Sequence, residues 1–269
     1  LPAFAVCIAV SIFFLVPLLA TILGGFRSNG DLQTQPFSIP RSIQWQNFGN
    51  ILKSGSLFWP ALENSVLILI GTVVLLLVFA CPAAFVLARM SFPGRELVFN
   101  FFLFGLLFPL SVAFLPLYIT IRQLGLLDSL WAVILPQVAF GFPLTILILR
   151  NAFRTIPSEL EDAATMDGAS PAVFFLRILL PLSRPAIAAV GVFAAVGSWN
   201  NFLLPLLVLN QQNEWTLPIG ATEFQQNNYS TDFASVLAFT TLAMIPALVV
   251  YLAAERQMVA GLTAGAVRG

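Results

Sequence analysis

The sequence contains very little charge and no histidine. Only 9% of its 269 residues are charged, whereas a soluble domain carries about 25%, and the mean hydropathy is +0.93. The lack of histidine excludes imidazole metal sites and histidine-based acid–base catalysis. Basic and acidic residues number 12 each, so there is no excess of positive charge to bind nucleic acid. These shortages indicate a protein that resides in lipid rather than in water.

Cysteine is also scarce: only Cys7 and Cys81 occur, both within apolar runs. A thiol in such a run is usually a small packing residue, so we expect no disulfide or redox role. Because the first residue is Leu1 rather than methionine, we expect a short N-terminal piece to precede it. A cleaved signal peptide is the alternative interpretation of the first run, which is long for that role and has no basic flank in view.

The sequence is rich in long runs without charged residues. Each can cross about 30 Å of hydrocarbon as a helix, which takes roughly 20 residues. The predicted spans are 2–24, 64–88, 97–121, 130–150, 185–209 and 233–254. They do not alternate in segments of about ten residues, as membrane barrel strands do. We therefore predict an all-α, polytopic membrane protein, with 1–269 as a single domain of six transmembrane helices.

The basic residues predict the orientation of these spans. If the loop after the second span is cytoplasmic, most of the 12 basic residues face the cytoplasm. That set is Arg89, Arg95, Arg150, Arg154, Arg177, Arg184, Arg256 and Arg268, against Arg27, Arg41, Lys53 and Arg122 on the other side. The positive-inside rule then puts both termini and the loop 151–184 in the cytoplasm, with 210–232 as an outer loop.

The loop 151–184 carries the stretch ELEDAATMDGAS at residues 159–170, which is unusually acidic for this chain. Ser158 and Glu161 have the spacing of a capping box, so a helix is predicted to start there. Gly168 is suited to the left-handed residue that ends such a helix. Ser170 and Pro171 then predict the N-cap and first residue of a second helix over about 172–180. The predicted pattern is a helix-turn-helix.

The acidic residues of the first helix allow two interpretations. Glu159 and Glu161 lie in its first turn, where negative charge interacts well with the helix dipole, so they need no further function. Asp167 lies at the opposite end, which suggests contact with nearby basic residues or with a partner. Ala163 and Ala164 keep the helix narrow enough to enter a groove. We favour docking onto another surface over a merely solvated helix.

The loop 151–184 resembles a known family. The run Asp162-Ala163-Ala164, followed at fixed spacings by Gly168, Ile178 and Leu180-Pro181, resembles the EAA loop of binding-protein-dependent ABC importer permeases. Glu159, Glu161, Asp167 and Ala169 also resemble the sugar-importer version of this loop. Asp162 departs from the glutamate usual in the family, and its shorter arm would weaken a contact with a basic partner residue.

The C-terminal half extends the resemblance to carbohydrate permeases of the maltose type. The segment WNNFLLPL at 199–206, the outer-loop sequence Thr216-Leu217-Pro218 and the ending QMVAGLTAGAVRG at 257–269 all resemble the G subunit of that family. The similarity covers nearly the whole chain and is weakest before about Glu63. It implies the type I ABC importer permease fold and a multi-pass protein of a bacterial or archaeal cell membrane.

The resemblance also implies partners and site residues. The partners would be a second permease, two ATP-binding subunits that form a homodimer, and an extracytoplasmic binding protein that delivers a sugar. This chain would hold no cofactor, because ATP and magnesium bind the partner ATPase, and the sequence has no G-x-x-x-x-G-K-[ST] phosphate loop. The outer loop would face the binding protein. The implied ATPase-coupling residues are Glu159, Glu161, Asp162, Ala163, Ala164, Asp167, Gly168 and Ala169, with Gly261, Gly265 and Arg268 in a tail that also touches the ATPases.

A candidate substrate pathway lies in the fifth span. Ser198, Asn200 and Asn201 are polar groups within an apolar span and are costly to expose to lipid. Together with Trp199 they would suit a sugar, which is recognised through hydroxyl hydrogen bonds and aromatic faces. The alternative is that they hydrogen-bond between helices, at the contact with the second permease.

The sequence is also compatible with three other functions. A secondary transporter would suit proline-broken spans but usually needs an ionisable residue within the membrane. The charge-free runs contain none, because the fourth run ends at Leu149, before Arg150. A structural subunit of a larger membrane complex is a second rival. A permease for a glycerol phosphodiester-like solute would need cationic side chains in its cavity, which the partner permease would have to supply.

Overall fold

The computed structural model describes residues 2–35, 38–40, 42–53, 56–223 and 232–266, and at 2–3, 110–111, 250–251 and 253–266 it describes the backbone alone. All regular secondary structure in these residues is helical, in agreement with the predicted class. The α-helices are α1 Pro2–Gly25, α2 Asn29–Thr34, α3 Trp45–Leu52, α4 Phe58–Arg89, α5 Arg95–Phe104, α6 Leu110–Gln123, α7 Trp131–Arg154, α8 Glu159–Met166, α9 Pro171–Phe174, α10 Leu180–Leu182, α11 Arg184–Trp199, α12 Leu203–Val208, α13 Leu217–Glu223 and α14 Phe233–Ala266. Turns of 3₁₀-helix lie at Gly105–Leu107 and Gln212–Glu214, and a π-helical turn lies at Phe175–Leu179.

Several of these helices are long and apolar enough to cross a membrane. Among the described residues, three meet this condition by themselves: Phe4–Gly25, Phe58–Arg89 and Trp131–Arg154. Two bent pairs would raise the number to five if each is one span: Arg95–Leu107 with Val112–Gln123, which meet at 106°, and Pro171–Leu182 with Arg184–Trp199, which meet at 76°. Phe233–Val249 is a shorter apolar segment. The chain is therefore a multi-pass membrane protein.

The chain forms two compact units. One comprises residues 1–65 and 210–249, and the other comprises residues 66–209 and 250–269. In the first unit, the start of α4 fixes the segment after residue 210. The Asn64 side chain donates to the carbonyl oxygens of Asn213 at 2.8 Å and Trp215 at 3.0 Å, and the Ser65 hydroxyl accepts from the Leu217 backbone N–H at 2.9 Å. Asn64 and Ser65 are buried near the start of α4, and these bonds satisfy their polar side chains.

The second unit contains a buried apolar cluster to which α4, α5, α7, α8, α9 and α11 contribute. Its members are Ala80, Cys81, Ala84, Phe85, Leu87, Ala88, Phe99, Ile146, Leu149, Phe153, Ala164, Phe174, Leu179 and Val190. Three of the residues that α4 supplies are alanines, which let neighbouring helices approach closely, as is common where helices pack in membranes. The member from α8 is Ala164, so the short acidic helix is anchored to the long helices through one small side chain.

Candidate functional site

The acidic helix α8 ends in the way that its sequence predicts. Gly168 has a φ of +80°, in the left-handed region. The Gly168 N–H donates to the Thr165 carbonyl and the Ala169 N–H donates to the Ala164 carbonyl, both at 2.9 Å. These two bonds form a Schellman motif, which satisfies the last carbonyl groups of a helix and turns the chain sharply.

The start of α8 differs from the prediction. The helix begins at Glu159, but Ser158 has helical dihedral angles (φ −67°, ψ −25°) and its side chain makes no capping bond. Its backbone carbonyl accepts instead from the N–H groups of Glu161 and Asp162, at 2.9 and 3.0 Å. The capping box is therefore absent here, and the Glu161 carboxylate is directed to a different partner, Arg89.

The two alanines of α8 point in opposite directions. Ala164 is 7% exposed and belongs to the buried cluster, whereas Ala163 is exposed. Met166 is 88% exposed, the highest fraction among the exposed large apolar side chains of the described residues. The exposed residues of α8 and its turn are Glu159, Leu160, Asp162, Ala163, Thr165, Met166, Asp167 and Gly168. The outward surface thus combines three carboxylates with the apolar side chains of Leu160 and Met166.

The second helix of this loop begins as predicted. The Ser170 hydroxyl accepts from the Val173 backbone N–H at 3.4 Å, and Pro171 is the first helical residue. After one α-helical turn the chain widens into the π-helical turn Phe175–Leu179 before α10. Such turns are often found at functional sites. Phe174 and Leu179 join Ala164 in the buried cluster, so this helix supports α8 from within the same unit.

Arg89 links α8 to the ends of two long helices. It is the last residue of α4, and its guanidinium donates to the carbonyl oxygens of Phe153, at 2.7 Å, and Ile156. Its Nη1 also lies 3.6 Å from a carboxylate oxygen of Glu161. The two carbonyls lie at the C-terminal end of α7, where the helix leaves them without internal partners. One side chain therefore connects the ends of α4 and α7 with the first turn of α8.

Arg150 makes a second connection beside the first. Its guanidinium is buried, donates to the Leu87 carbonyl at 3.0 Å and to the Glu96 carboxylate, and lies 3.8 Å from the centre of the Phe99 ring. Arg150 of α7 is thus bound to both α4 and α5. We refer to Arg89, Arg95, Glu96, Arg150, Arg154 and Glu161 together as the ionic cluster.

Glu96 is the carboxylate on which the arginines of this cluster converge. Partial desolvation would raise its pKa, but the hydrogen bond from Arg150 and the charges of Arg150, Arg95 and Arg154 outweigh it. The pKa of Glu96 therefore lies below its ordinary value. The Arg95 Nε and an Arg154 Nη lie 3.3 and 3.8 Å from its carboxylate. Glu96 is ionised at neutral pH and holds the ends of α5 and α7 together.

The second unit also contains a partly open cavity of about 270 Å³. It is bounded by α4, α7, α11 and the residues after α11. Its lining residues are Thr72, Leu76, Gln137, Phe140, Gly141, Leu144, Thr145, Ile148, Val190, Phe193, Ala194, Gly197, Ser198, Asn201 and Leu204. None of these residues is charged. The cavity is mostly apolar, with a few polar groups, as is typical of sites for small neutral molecules.

Two polar atoms at this cavity are buried without a hydrogen-bond partner. The Thr72 hydroxyl donates to Gln137 Oε1 at 2.9 Å, which leaves Gln137 Nε2 unpaired. The Ser198 hydroxyl is likewise buried and unpaired. Leaving a buried donor unsatisfied costs about 1–3 kcal/mol, so such groups usually have a partner when the protein functions.

Only some of the predicted pathway residues, 198–201, lie at this cavity. Ser198 and Asn201 line the cavity, whereas Trp199 and Asn200 are not among its lining residues. The Asn200 side chain donates to the Val196 carbonyl at 2.9 Å, at the C-terminal end of α11, and Asn201 Oδ1 accepts from the Leu204 N–H at 3.3 Å. Within this chain, Asn200 therefore caps the end of α11, and its side chain is exposed.

Thr72, Gln137 and Thr145 also line the cavity, and the sequence interpretation did not single them out. Each is an uncharged polar residue in a predicted span, which is the signal that would have identified them. Gly261 and Gly265 fall within α14, where only the backbone is described, and Arg268 lies outside the described residues.

Residues 78–260 match the family described as binding-protein-dependent transport system inner membrane component. This match covers most of the chain, including α8 and all the lining residues of the cavity except Thr72 and Leu76. The chain belongs to this family.

Named relatives support the assignment over nearly the full length of the permease. It is 33% identical to a diacetylchitobiose uptake system permease protein of Streptomyces coelicolor, over 98% of this chain and 87% of that protein. It is 34% identical to an arabinooligosaccharides transport system permease protein of Halalkalibacterium halodurans, over 94% and 91%. It is 35% identical to a trehalose transport system permease protein of Mycobacterium tuberculosis, over 86% and 84%.

The fold of the permease is also found in a solved structure. A chain of a bacterial ABC transporter involved in the import of the acidic polysaccharide alginate superimposes with a TM-score of 0.81, at 23% identity, over 94% of each chain. The protein is thus a permease subunit of a binding-protein-dependent ABC importer, and its family consists of transport components rather than enzymes. Membership implies an ATPase, a second permease and a solute-binding protein as partners, and it sets aside the secondary-transporter hypothesis.

Proposed function

We propose that this permease and a second permease form the pathway for a sugar or oligosaccharide that an extracytoplasmic protein delivers. The observation that carries the proposal is the similarity, over nearly the whole chain, to relatives named for the transport of diacetylchitobiose, arabinooligosaccharides and trehalose. The uncharged lining of the cavity supports a neutral solute. A phosphodiester would favour arginine or lysine at this position.

The experiment is ATP-driven uptake by the purified importer. The permease, its partner permease and the ATPase are reconstituted in proteoliposomes with the binding protein outside and ATP inside. Labelled diacetylchitobiose, an arabinooligosaccharide and trehalose are tested, with a non-hydrolysable ATP analogue as the control. Accumulation of at least one sugar that depends on ATP hydrolysis supports the proposal, and accumulation of none, by a complex that hydrolyses ATP, contradicts it.

Coupling to the ATPase is the second part of the proposal. In this proposal α8 is the coupling helix, and its outward surface enters a groove of the ATPase. Met166 supplies the apolar contact, while Glu159, Asp162 and Asp167 set the orientation on a basic rim. Glu161, Ala164 and Ala169 act on the inner side, and Gly168 supplies the turn. The support is the 88% exposure of Met166 and the ionic link from Glu161 to Arg89, which joins the docked helix to α4 and α7.

The ionic cluster would carry the movement of the ATPases into the membrane. When ATP draws the ATPases together, α8 moves with its groove. Because Arg89 binds the ends of α4 and α7, which border the cavity, those helices move as well. Coupling of this kind requires two states that differ in affinity for ATP and for the loaded binding protein.

The topology that completes this proposal has six spans and cytoplasmic termini. The spans are 2–24, 64–88, 97–121, 130–150, 185–209 and 233–254, within a single domain over 1–269. The loop 151–184 and the tail with Gly261, Gly265 and Arg268 then face the ATPases. The outer loop 210–232 faces the binding protein, and of this loop residues 224–231 lie outside the described residues. Two copies of one ATPase would complete the assembly.

A further inference from the structure

We infer that Gln137 and Ser198 form a hydroxyl-binding subsite for one ring of the transported saccharide, with Thr72 as a positioning residue. This inference rests on the proposed function and goes beyond it, because it assigns sugar contacts to named atoms of this permease. Of Gln137, Ser198 and Thr72, only Ser198 belongs to the pathway residues 198–201 that were predicted from the sequence.

Gln137 is held in place to donate. The Thr72 hydroxyl, on α4 and 3% exposed, donates to Gln137 Oε1 at 2.9 Å. This bond uses the acceptor end of the amide and fixes its orientation, so that the two N–H donors on Nε2 remain for another molecule. Nε2 is buried and has no partner. A donor that is fixed, buried and unpaired is suited to a ligand oxygen.

Ser198 offers the complementary chemistry on a second helix. Its hydroxyl lies on α11, lines the same cavity and is buried without a partner. A hydroxyl both donates and accepts, as does each hydroxyl of a sugar. A neutral sugar ring can therefore satisfy the Gln137 donor and the Ser198 hydroxyl together, whereas a lipid chain or an apolar side chain would satisfy neither.

The size and walls of the cavity indicate how much of the saccharide enters it. Its volume of about 270 Å³ lies just below the range of roughly 300–1,000 Å³ typical of sites for drug-sized molecules. This space suits one ring rather than an oligosaccharide. Phe140 and Phe193 contribute aromatic rings and Gly141 and Gly197 contribute backbone without side chains, so the apolar faces of a ring have surfaces to contact.

The test exploits the lack of internal partners at Ser198. Ser198→Ala breaks no hydrogen bond within the described protein, so the substitution should leave folding intact. Ser183 supplies a matched control, because its hydroxyl is also buried and unpaired in the same unit but lies outside the lining of the cavity. Both variants, and Gln137→Met, are reconstituted as complete importers with whichever of the three labelled sugars the wild type accumulates.

The expected result is a loss of sugar uptake without a loss of assembly. Ser198→Ala and Gln137→Met should each lower the rate of uptake by about threefold to tenfold, the effect of one hydrogen bond. ATP hydrolysis stimulated by the loaded binding protein should persist, and Ser183→Ala should match the wild type in both assays. The number of sugar molecules imported per ATP hydrolysed should therefore fall for Ser198→Ala and Gln137→Met but not for Ser183→Ala.

Three outcomes overturn the inference. If Ser198→Ala and Gln137→Met import sugar at the wild-type rate, the subsite does not exist, although the proposed function stands. If either variant loses the second permease during purification, the unpaired groups serve contact between subunits and not sugar binding. If the wild type imports none of the three sugars, the proposed function fails and the inference falls with it.

Discussion

At the scale of single residues, Arg89 connects the ends of α4 and α7 with α8. Its side chain is 9% exposed and binds two carbonyl oxygens at the end of α7 as well as Glu161 of α8. This arrangement needs the planar fork of a guanidinium, because an ammonium group cannot reach all three acceptors with the same geometry.

We therefore predict that Arg89→Lys destabilises the permease while keeping its charge. Loss of hydrogen bonds from a charged group should cost about 1–2 kcal/mol. The measurement is the apparent midpoint of thermal unfolding of the complex in detergent. Arg177→Lys is the control, because Arg177 is an exposed residue on the neighbouring π-helical turn. Equal midpoints for the two variants would show that the contacts of Arg89 do not stabilise this region.

Glu96 leads to a prediction about pH. Its pKa is lower when the protein is folded than the ordinary value of 4.5, so its contribution to stability is complete above that pH and is lost as the pH falls through the lower folded value. Glu96→Gln should therefore lower the unfolding midpoint at pH 7, and the difference from the wild type should shrink below about pH 4.5. A difference that grows as the pH falls would contradict the assigned direction.

At the scale of the helices, Gly168 determines how α8 ends. A Cβ at this position would meet nothing within 4 Å, so the need for glycine comes from its φ of +80° and not from crowding. Gly168→Ala should cost about 1–2 kcal/mol, because an L-residue is strained in the left-handed region. Gly168→Asn should cost less, because asparagine tolerates that conformation. Unfolding midpoints measure both, and equal effects of alanine and asparagine would contradict this explanation.

The local features of the loop 151–184 were predictable from sequence, whereas those that depend on distant partners were not. Gly168, Ser170 and Pro171 act on neighbouring backbone, and the structure confirms each role. The capping box at Ser158 failed because Glu161 forms an ion pair with Arg89, 72 positions earlier in the chain. The spacing of a capping box contains no information about such a competitor.

The cavity illustrates the same limit among the predicted spans. The polar run 198–201 is conspicuous in an apolar segment, so Ser198 and Asn201 were found from sequence. Gln137 and Thr72 were missed, because a lone uncharged polar residue in a span is compatible with lipid, a helix contact or a cavity. Only the approach of α4 to α7 shows that Thr72 occupies one end of the Gln137 amide and leaves the other end unpaired.

At the scale of the whole molecule, we propose that sugar transport is driven through α8. The long helices border an uncharged cavity, and the ionic cluster joins two of them to a short helix whose exposed surface includes the apolar residues Leu160 and Met166. Met166 is 88% exposed and contributes little to the fold of this chain. Its function should therefore be evident only when the ATPase is present.

The most direct measurement compares wild type, Met166→Leu and Met166→Glu in the complete importer, by ATPase co-purification and ATP-driven sugar uptake. The predicted result is that Met166→Glu loses most of the ATPase and of the uptake while its permeases stay folded and paired, because a carboxylate would be buried in an apolar groove. Met166→Leu should retain both. If Met166→Glu keeps its ATPase and imports sugar at the wild-type rate, α8 does not dock through this surface and the account of coupling is wrong.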